Sequence, residues 1–173
     1  MRAVNTNDST PRSGRGHGAI PISNPKVFDL LSQDKLALTN VREPEPMLIR
    51  ETDDIVIARH AGRCLGKSLG CSDSKIALLT TAISELARNI ILYAEKGEIS
   101  VSEIRVGPSN AILIIANDNG PGIADVDCAL AGGYSTSGGL GLGLSGLHQI
   151  ADRFEIESHY GEGTCVKVII LAG

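Results

Sequence analysis

A-I-L-I-I-A-N-D-N-G-P-G-I, residues 111–123, is the stretch that decides the fold of this chain. Residues 112–115 are apolar and rich in β-branched side chains, which predicts a buried strand. The residues at 117–119, Asn-Asp-Asn, are poor strand formers, and the Gly-Pro-Gly at 120–122 breaks the strand. The stretch therefore predicts a buried strand that ends at a carboxylate, Asp118.

A glycine-rich segment follows, G-G-Y-S-T-S-G-G-L-G-L-G-L-S-G at residues 132–146, and it leads into a predicted helix over 144–154. Glycine in the first turn of a helix costs roughly 0.8–1.0 kcal/mol relative to alanine. Gly139, Gly141 and Gly143 are therefore a costly way to begin a helix that has no other role. Their unobstructed backbone N–H groups, at the positive end of a helix dipole, suit a phosphate chain.

Two other phosphate-binding motifs were compared with this segment. Gly141, Gly143 and Gly146 match G-x-G-x-x-G, but a dinucleotide-binding fold needs a strand leading directly into the motif, and residues 132–138 are a predicted loop. A Walker loop is excluded because no G-x-x-x-x-G-K-[ST] occurs. A flexible surface linker is the alternative that the glycines alone leave open.

Composition narrows the class of protein. The 173 residues suit one domain of ordinary size with an appendage, and 42% of them are hydrophobic, enough for a core of aliphatic side chains. A net charge of −4 and 3% aromatic residues argue against nucleic acid as the main partner. No apolar run approaches the roughly 20 residues that cross a bilayer, and no secretory signal is recognised. The four cysteines form no C-x-x-C pair, so we expect reduced packing residues in a cytoplasmic protein.

The order of predicted elements indicates the architecture. Residues 1–47 are a polar N-terminal extension that we expect to be largely disordered, with a short helix over 26–38. The domain, residues 48–173, begins with a strand at 47–50 and a helix capped by Thr52 or Asp53. The apolar face predicted for that helix consists of Ile57, Ala61, Cys64, Leu65 and Leu69.

Further along, Ser72 caps a second helix whose apolar stripe is Ile76, Leu79, Ile83, Leu86 and Ile90. Residues 98–106 alternate with a slip in phase, which predicts a strand with a bulge, and a hairpin turn joins it to the strand that ends at Asp118. A final hairpin follows the glycine-rich segment. Paired strands beneath helices predict a two-layer α/β sandwich.

Three side chains carry the candidate chemistry. Glu85 and Asn89 lie one turn apart on the second helix and therefore share a face. The carboxylate of Glu85 can act on a hydroxyl proton, and the amide oxygen of Asn89 can hold a hard cation such as Mg²⁺, although a solvated surface glutamate is the simpler alternative. Asp118, at the end of a buried strand, needs hydrogen-bond donors, and the amino group of a purine is a suitable one.

The motifs S-E-L-A-R-N, D-N-G-P-G-I, G-G-L-G-L-G-L and G-E-G-T resemble, in this order, those of the GHKL ATPase and kinase superfamily. Residues 48–171 are most similar to the RsbT-type serine/threonine kinases of bacterial stress signalling. Sensor histidine kinases usually carry a lysine where this chain has Tyr93. The resemblance implies a Bergerat-type ATP-binding fold, a two-layer sandwich in which a mixed, mostly antiparallel sheet is covered by helices on one face.

The resemblance also implies the roles of single residues. Glu85 matches the general base, Asn89 the magnesium ligand and Asp118 the aspartate that recognises adenine. The remaining positions matched to the ATP site are Gly120, Gly122, Gly139, Gly141, Gly143, Leu144 and Thr164. The implied cofactors are ATP and Mg²⁺. Arg88 belongs to the RsbT-like form of its motif and has either a role near the phosphates or partner, or none beyond the surface.

By the same resemblance, the implied substrate is a STAS-domain protein of a stressosome-like module. A PP2C-type phosphatase or a sigma factor is the implied alternate partner. A second function is open at this point: a nucleotide-gated binding module, such as an anti-sigma factor, whose output is sequestration.

Overall fold

The computed structural model describes residues 45–131 and 143–173. The extension predicted over residues 1–47 lies outside the described residues up to position 44, and so does the helix predicted over 26–38. Gly139 and Gly141 also lie outside them.

The described residues of the domain form a five-stranded sheet. Its strands are β1 (Met47–Ile49), β2 (Gly97–Val106), β3 (Ser109–Asp118), β4 (Arg153–His159) and β5 (Gly163–Leu171). They lie in the order β1-β2-β3-β5-β4, and all four neighbouring pairs are antiparallel. A turn at Gly107–Pro108 joins β2 to β3, and a turn around Gly161 joins β4 to β5, so both predicted hairpins are present. The predicted α/β class is confirmed.

Within the part of the chain that the structure describes, four helices accompany the sheet: α1 (Thr52–Ser68), α2 (Asp73–Asn89), α3 (Val126–Leu130) and α4 (Gly143–Ile150). A π-helical turn, Ile90–Ala94, extends α2. The predicted stripe of α2 is buried at every position. It packs on the face of the sheet that we call the inner face, formed in β3 by Ile112, Ile114 and Ala116 and in β5 by Val166, Val168 and Ile170.

The predicted face of α1 is correct only in part, because Leu65 and Leu69 pack against the core but other predicted positions do not. Ala58, Gly62 and Gly66 are buried, whereas Ile57 is 61% exposed and Cys64 is exposed. A Cβ atom on Gly62 would lie 2.3 Å from Cδ1 of Ile83. The glycines bring α1 against α2 more closely than apolar side chains would allow, and a search for apolar periodicity does not detect such a contact.

The start of α1 is also one residue earlier than predicted. Glu51, not Thr52 or Asp53, is the N-cap residue. The carboxylate of Asp54 accepts hydrogen bonds from the backbone N–H groups of Arg50, at 2.8 Å, and Glu51, at 3.0 Å. These two bonds lower the pKa of Asp54, because they stabilise its ionised form.

The bulge predicted in β2 is wrong. The register of β2 against β3 is continuous from Gly97–Asp118 to Val106–Ser109. Ile99 therefore points to the inner face, while Ile104 points to the opposite, outer face. The slip in the sequence pattern reflects an apolar surface on both faces of the strand, not an inserted residue.

Helix α2 and its π-turn together are long and apolar enough, by length and composition alone, to cross a membrane. Half of this stretch is buried within the domain, and its stripe packs on the inner face of the sheet. We interpret it as a core helix. The four cysteines are free, but Cys64 and Cys128 are exposed, so the prediction that all are packing residues is wrong for these two.

Candidate functional site

The end of α2, which carries Asn89, and the end of β3, which carries Asp118, lie close together at one end of the inner face. Asp118, the last residue of β3, lies opposite Gly97 of β2 and Thr164 of β5. A Cβ atom built on Gly97 would lie 2.9 Å from Ile90 and 3.1 Å from Cβ of Asp118, so the end of α2 borders the end of β3. Asn89 immediately precedes Ile90 in this corner.

Asp118 is partly buried, and its environment acts on its charge in two ways. Burial raises the pKa of the carboxyl, while the backbone N–H groups of Gly120 and Thr164 lower it, and burial has the larger effect. Oδ1 accepts a hydrogen bond of 2.8 Å from the N–H of Gly120. An ionised carboxylate accepts about four hydrogen bonds, so capacity remains for a further donor such as the amino group of adenine.

The loop that follows Asp118 is fixed by the turn between β4 and β5. The N–H of Gly161 donates to the carbonyl of Pro121 at 2.7 Å, and the N–H of Ile123 donates to Oγ of Ser158 at 2.8 Å. These two hydrogen bonds tie the backbone of the loop to β4 and to the turn after it, and they therefore fix the path of the loop.

Ser158 is a site-forming residue that the sequence analysis missed. Its hydroxyl donates to the carbonyl of Gly163 at 3.0 Å and lies 2.9 Å from the hydroxyl of Thr164. With the Ser158 proton donated to Gly163, the Thr164 hydroxyl donates to Ser158. The two residues thus form a hydroxyl pair between β4 and the start of β5. The role of Thr164 in supporting the base site stays a prediction.

Gly120 and Gly122 lie in tight contact with protein atoms. A Cβ atom on Gly120 would lie 2.5 Å from Cβ of Ala94 in the π-turn, and one on Gly122 would lie 2.1 Å from the carbonyl oxygen of His159. Gly122 also has a φ of +70°, a conformation that favours glycine. Packing within the chain is thus sufficient to require both glycines, whether or not a base also contacts them.

Glu85 is buried at 8% exposure, so the simpler alternative of a solvated glutamate is wrong. Its Oε1 lies 2.5 Å from Nη1 of Arg88, one turn further along α2. The Arg88 side chain is 48% exposed, and the ion pair therefore links a buried carboxylate to the protein surface. Arg88 is consequently more than a surface arginine, and the i, i+3 spacing was the signal that could have indicated the pair.

Asn89 is half-buried, and no hydrogen bond ties its side chain to the residues that the structure describes. Its amide oxygen is the type of ligand that Mg²⁺ accepts. Within residues 45–131 and 143–173, no three His, Cys, Asp or Glu side chains group into a metal site. The residues present fit a Mg²⁺ ion that is bound by Asn89 together with oxygens of a substrate.

The predicted phosphate segment is described only from its last glycine. Gly143 begins α4 with a φ of +57°, and Leu144 packs against the inner core. Leu147, one turn later, is fully buried and anchors the helix. Gly139 and Gly141 lie outside the described residues, so their assignment to the phosphates stays a prediction.

Comparison with known proteins gives a consistent result. Residues 74–172 match the family model of histidine kinase-, DNA gyrase B- and HSP90-like ATPases. The chain is 48% identical over 116 residues to the serine/threonine-protein kinase RsbT of Bacillus subtilis. The matched region covers 67% of this chain and 87% of that relative. It is 34% identical over 98 residues to the anti-sigma F factor of Caldanaerobacter subterraneus, covering 54% of this chain and 68% of the relative.

Proposed function

Because this chain belongs to the family of histidine kinase-, DNA gyrase B- and HSP90-like ATPases, we propose that it is a serine/threonine protein kinase that uses ATP. The observation that carries the proposal is the corner where α2 meets the end of β3. Glu85, a buried carboxylate, lies on α2 one turn before Asn89, and Asp118, a partly buried carboxylate, ends β3. The first is suited to proton transfer and the second to recognition of a base.

Asp118 binds the adenine amino group in this proposal. The bond from Gly120 fixes one oxygen of the carboxylate, and the hydroxyl pair of Ser158 and Thr164 fixes the adjoining strand and loop. A carboxylate held in this way discriminates in favour of a purine that carries a donor, because an acceptor at the same position would be repelled. We assign Gly120 and Gly122 to the side of the ATP site that holds the base, and Leu144 to the side that α4 forms.

Glu85 accepts the proton of the incoming serine or threonine hydroxyl. The buried carboxylate pairs with Arg88, which orients it and is therefore a positioning residue in this scheme. Mg²⁺ bound by Asn89 supplies neutralisation of phosphate charge when it is present. Gly139, Gly141 and Gly143 offer backbone N–H groups to the phosphates.

We further propose a STAS-domain protein as the substrate and a cytoplasmic location, in a bacterial partner-switching module. A PP2C-type phosphatase or a sigma factor is the alternate partner. The similarity to an anti-sigma F factor favours a second candidate function, a nucleotide-gated module that acts by sequestration. The two candidates differ in whether Glu85 is needed for the output.

The test is transfer of labelled phosphate from ATP to a STAS-domain protein encoded beside this chain, with wild type and Glu85→Gln compared. We expect Glu85→Gln to lower the rate by about 10²–10⁴-fold, the usual contribution of a general base, with ATP affinity largely kept. Glu103→Gln is the matched control, because Glu103 is exposed on β2 and distant in sequence from the motif. Its rate should equal that of wild type.

Two outcomes contradict the proposal. Equal transfer rates for Glu85→Gln and wild type would exclude Glu85 as the general base. Tight binding of ATP and of the STAS-domain protein without any transfer by wild type would favour the sequestration function instead.

A further inference from the structure

The ion pair between Glu85 and Arg88 has one partner inside the protein and one at its surface. The side chain of Glu85 is 10% exposed, whereas that of Arg88 is 48% exposed. A buried carboxylate needs such a partner, because an unpaired charge is costly away from water. The pair therefore holds Glu85 in place and presents a guanidinium to solvent beside it.

This pair uses only part of the hydrogen-bonding capacity of the two groups. Among the described residues, Arg88 alone bonds to the carboxylate of Glu85, and Nη1 donates to Oε1. Oε2 is consequently the oxygen that remains to accept a proton. A guanidinium carries five N–H donors in a geometry that matches an oxyanion, and those of Arg88 that do not bond to Glu85 remain for a further anion.

The position of Arg88 on α2 indicates where that anion comes from. Because successive residues of a helix are about 100° apart, Asn89 lies about 40° to one side of Glu85 and Arg88 about 60° to the other. The buried residues Leu86 and Ile90 lie on the Asn89 side. The expected metal ligand is therefore turned toward the core and the cleft, and Arg88 is turned away from both.

No large side chain of α2 covers Arg88 on this side. Thr81 and Ser84 precede it by two turns and one turn on the same side of the helix, both are small, and Thr81 is exposed. The guanidinium is thus open to a protein that approaches Glu85 from solvent. We propose that Arg88 binds a carboxylate of the protein substrate, beside the acceptor serine or threonine, an inference that rests on the proposed kinase function.

This contact brings the acceptor hydroxyl to the buried carboxylate. Arg88 holds Oε1 of Glu85 and the substrate carboxylate at the same time, and the hydroxyl gives its proton to Oε2. The hydroxyl oxygen bonds to the γ-phosphorus of ATP while the bond from that phosphorus to the bridging oxygen breaks, and its electron pair leaves with ADP. The substrate class is accordingly a protein with an acidic residue next to its phosphorylated residue.

The test measures binding, so that it does not depend on phosphate transfer. Calorimetry with Mg²⁺ and a non-hydrolysable ATP analogue gives the Kd of the STAS-domain protein encoded beside this chain, for wild type and for Arg88→Gln. In a second form of the STAS-domain protein, the acidic residue nearest the acceptor is changed to its amide. Each change alone should weaken binding about tenfold, and both together by no more than about tenfold, because they remove the same contact.

The matched control is Arg105→Gln on β2, where an exposed arginine donates to the carbonyl of Pro108. It should bind both forms of the STAS-domain protein as wild type does. Arg88→Lys keeps the charge but loses the planar set of donors, and it should bind the unaltered form with intermediate affinity. The amide form is also titrated into the wild-type chain, and that comparison does not depend on the folding of any variant of this chain.

Three results would overturn the proposal. One is a combined effect of about a hundredfold, since the two changes would then act independently. The second is equal affinity of wild type for the two forms of the STAS-domain protein. The third is a loss of ATP affinity in Arg88→Gln without coupling to the acidic residue, because the guanidinium would then serve the phosphates. Coupling in binding without any transfer of labelled phosphate by wild type would instead support this contact and contradict the proposed kinase function.

Discussion

Among single residues, Asp118 has the environment with the clearest consequence for stability. Burial raises the pKa of its carboxyl above the ordinary value, and the N–H groups of Gly120 and Thr164 offset only part of the effect. Between the unfolded pKa and the raised folded pKa, the native state binds more protons than the unfolded state. The free energy of unfolding therefore decreases as the pH rises through this window, and the cost of the charged carboxylate is complete above it.

Asp118→Asn should consequently increase the free energy of unfolding of the nucleotide-free protein at pH 7. The amide oxygen of asparagine can still accept the bond from Gly120, and the buried charge is removed. The gain should shrink as the pH falls toward the unfolded value of 3.8, which urea unfolding at a series of pH values can measure.

The control for this prediction is Asp127→Asn in α3, which makes the same change of charge at an exposed position. We expect no comparable gain there. A lower stability of Asp118→Asn than of wild type at pH 7 would mean that bonds to the carboxylate outweigh its desolvation.

At the scale of elements, the loop after β3 is constrained by the π-turn on one side and the turn between β4 and β5 on the other. Gly122 has both a positive φ and a carbonyl oxygen 2.1 Å from where its Cβ would lie. Gly70, which ends α1, has a similar φ of +72° but open space around it. Comparison of Gly70 with Gly122 therefore separates the cost of backbone strain from the cost of close packing.

Gly70→Ala should cost about 1–2 kcal/mol of unfolding free energy, the usual penalty of the left-handed region for a residue with a Cβ. Gly122→Ala should cost about 1–3 kcal/mol more, because the backbone of His159 must also move. Chemical denaturation of both variants measures the difference. Equal costs would show that the loop relaxes freely and is not held by the hairpin.

Some features of single elements could be predicted from the sequence, and others could not. The stripe of α2 and the strand that ends at Asp118 were predictable because periodicity within one element determines which side is buried. The face of α1 was not, because Gly62 and Gly66 contact α2 through the absence of side chains. The role of Ser158 depends on the register of β4 against β5, which no local pattern contains.

For the whole molecule, the order of the motifs predicted the family, and the order of the elements predicted the two-layer arrangement. Among the described motifs, S-E-L-A-R-N ends α2, D-N-G-P-G-I begins at the end of β3 and G-E-G-T leads into β5. The second apolar face could not be predicted in this way. Ile104, Leu113 and Ile169 come from three strands, and only their pairing brings them onto one surface. For this reason the alternation in β2 predicts a bulge, whereas the register of β2 against β3 is continuous.

The proposed function requires that this corner bind an adenine nucleotide through the Asp118 carboxylate. The most direct measurement is calorimetric titration of the full chain with ATP and with inosine triphosphate in the presence of Mg²⁺, since inosine carries an acceptor where adenine carries its amino donor. We expect wild type to bind ATP about 10–100-fold more tightly than inosine triphosphate, the usual effect of a hydrogen bond to a charged group. Asp118→Asn should largely lose this preference. Equal affinities of wild type for the two nucleotides, or a preference that survives Asp118→Asn, would contradict recognition of the base by Asp118.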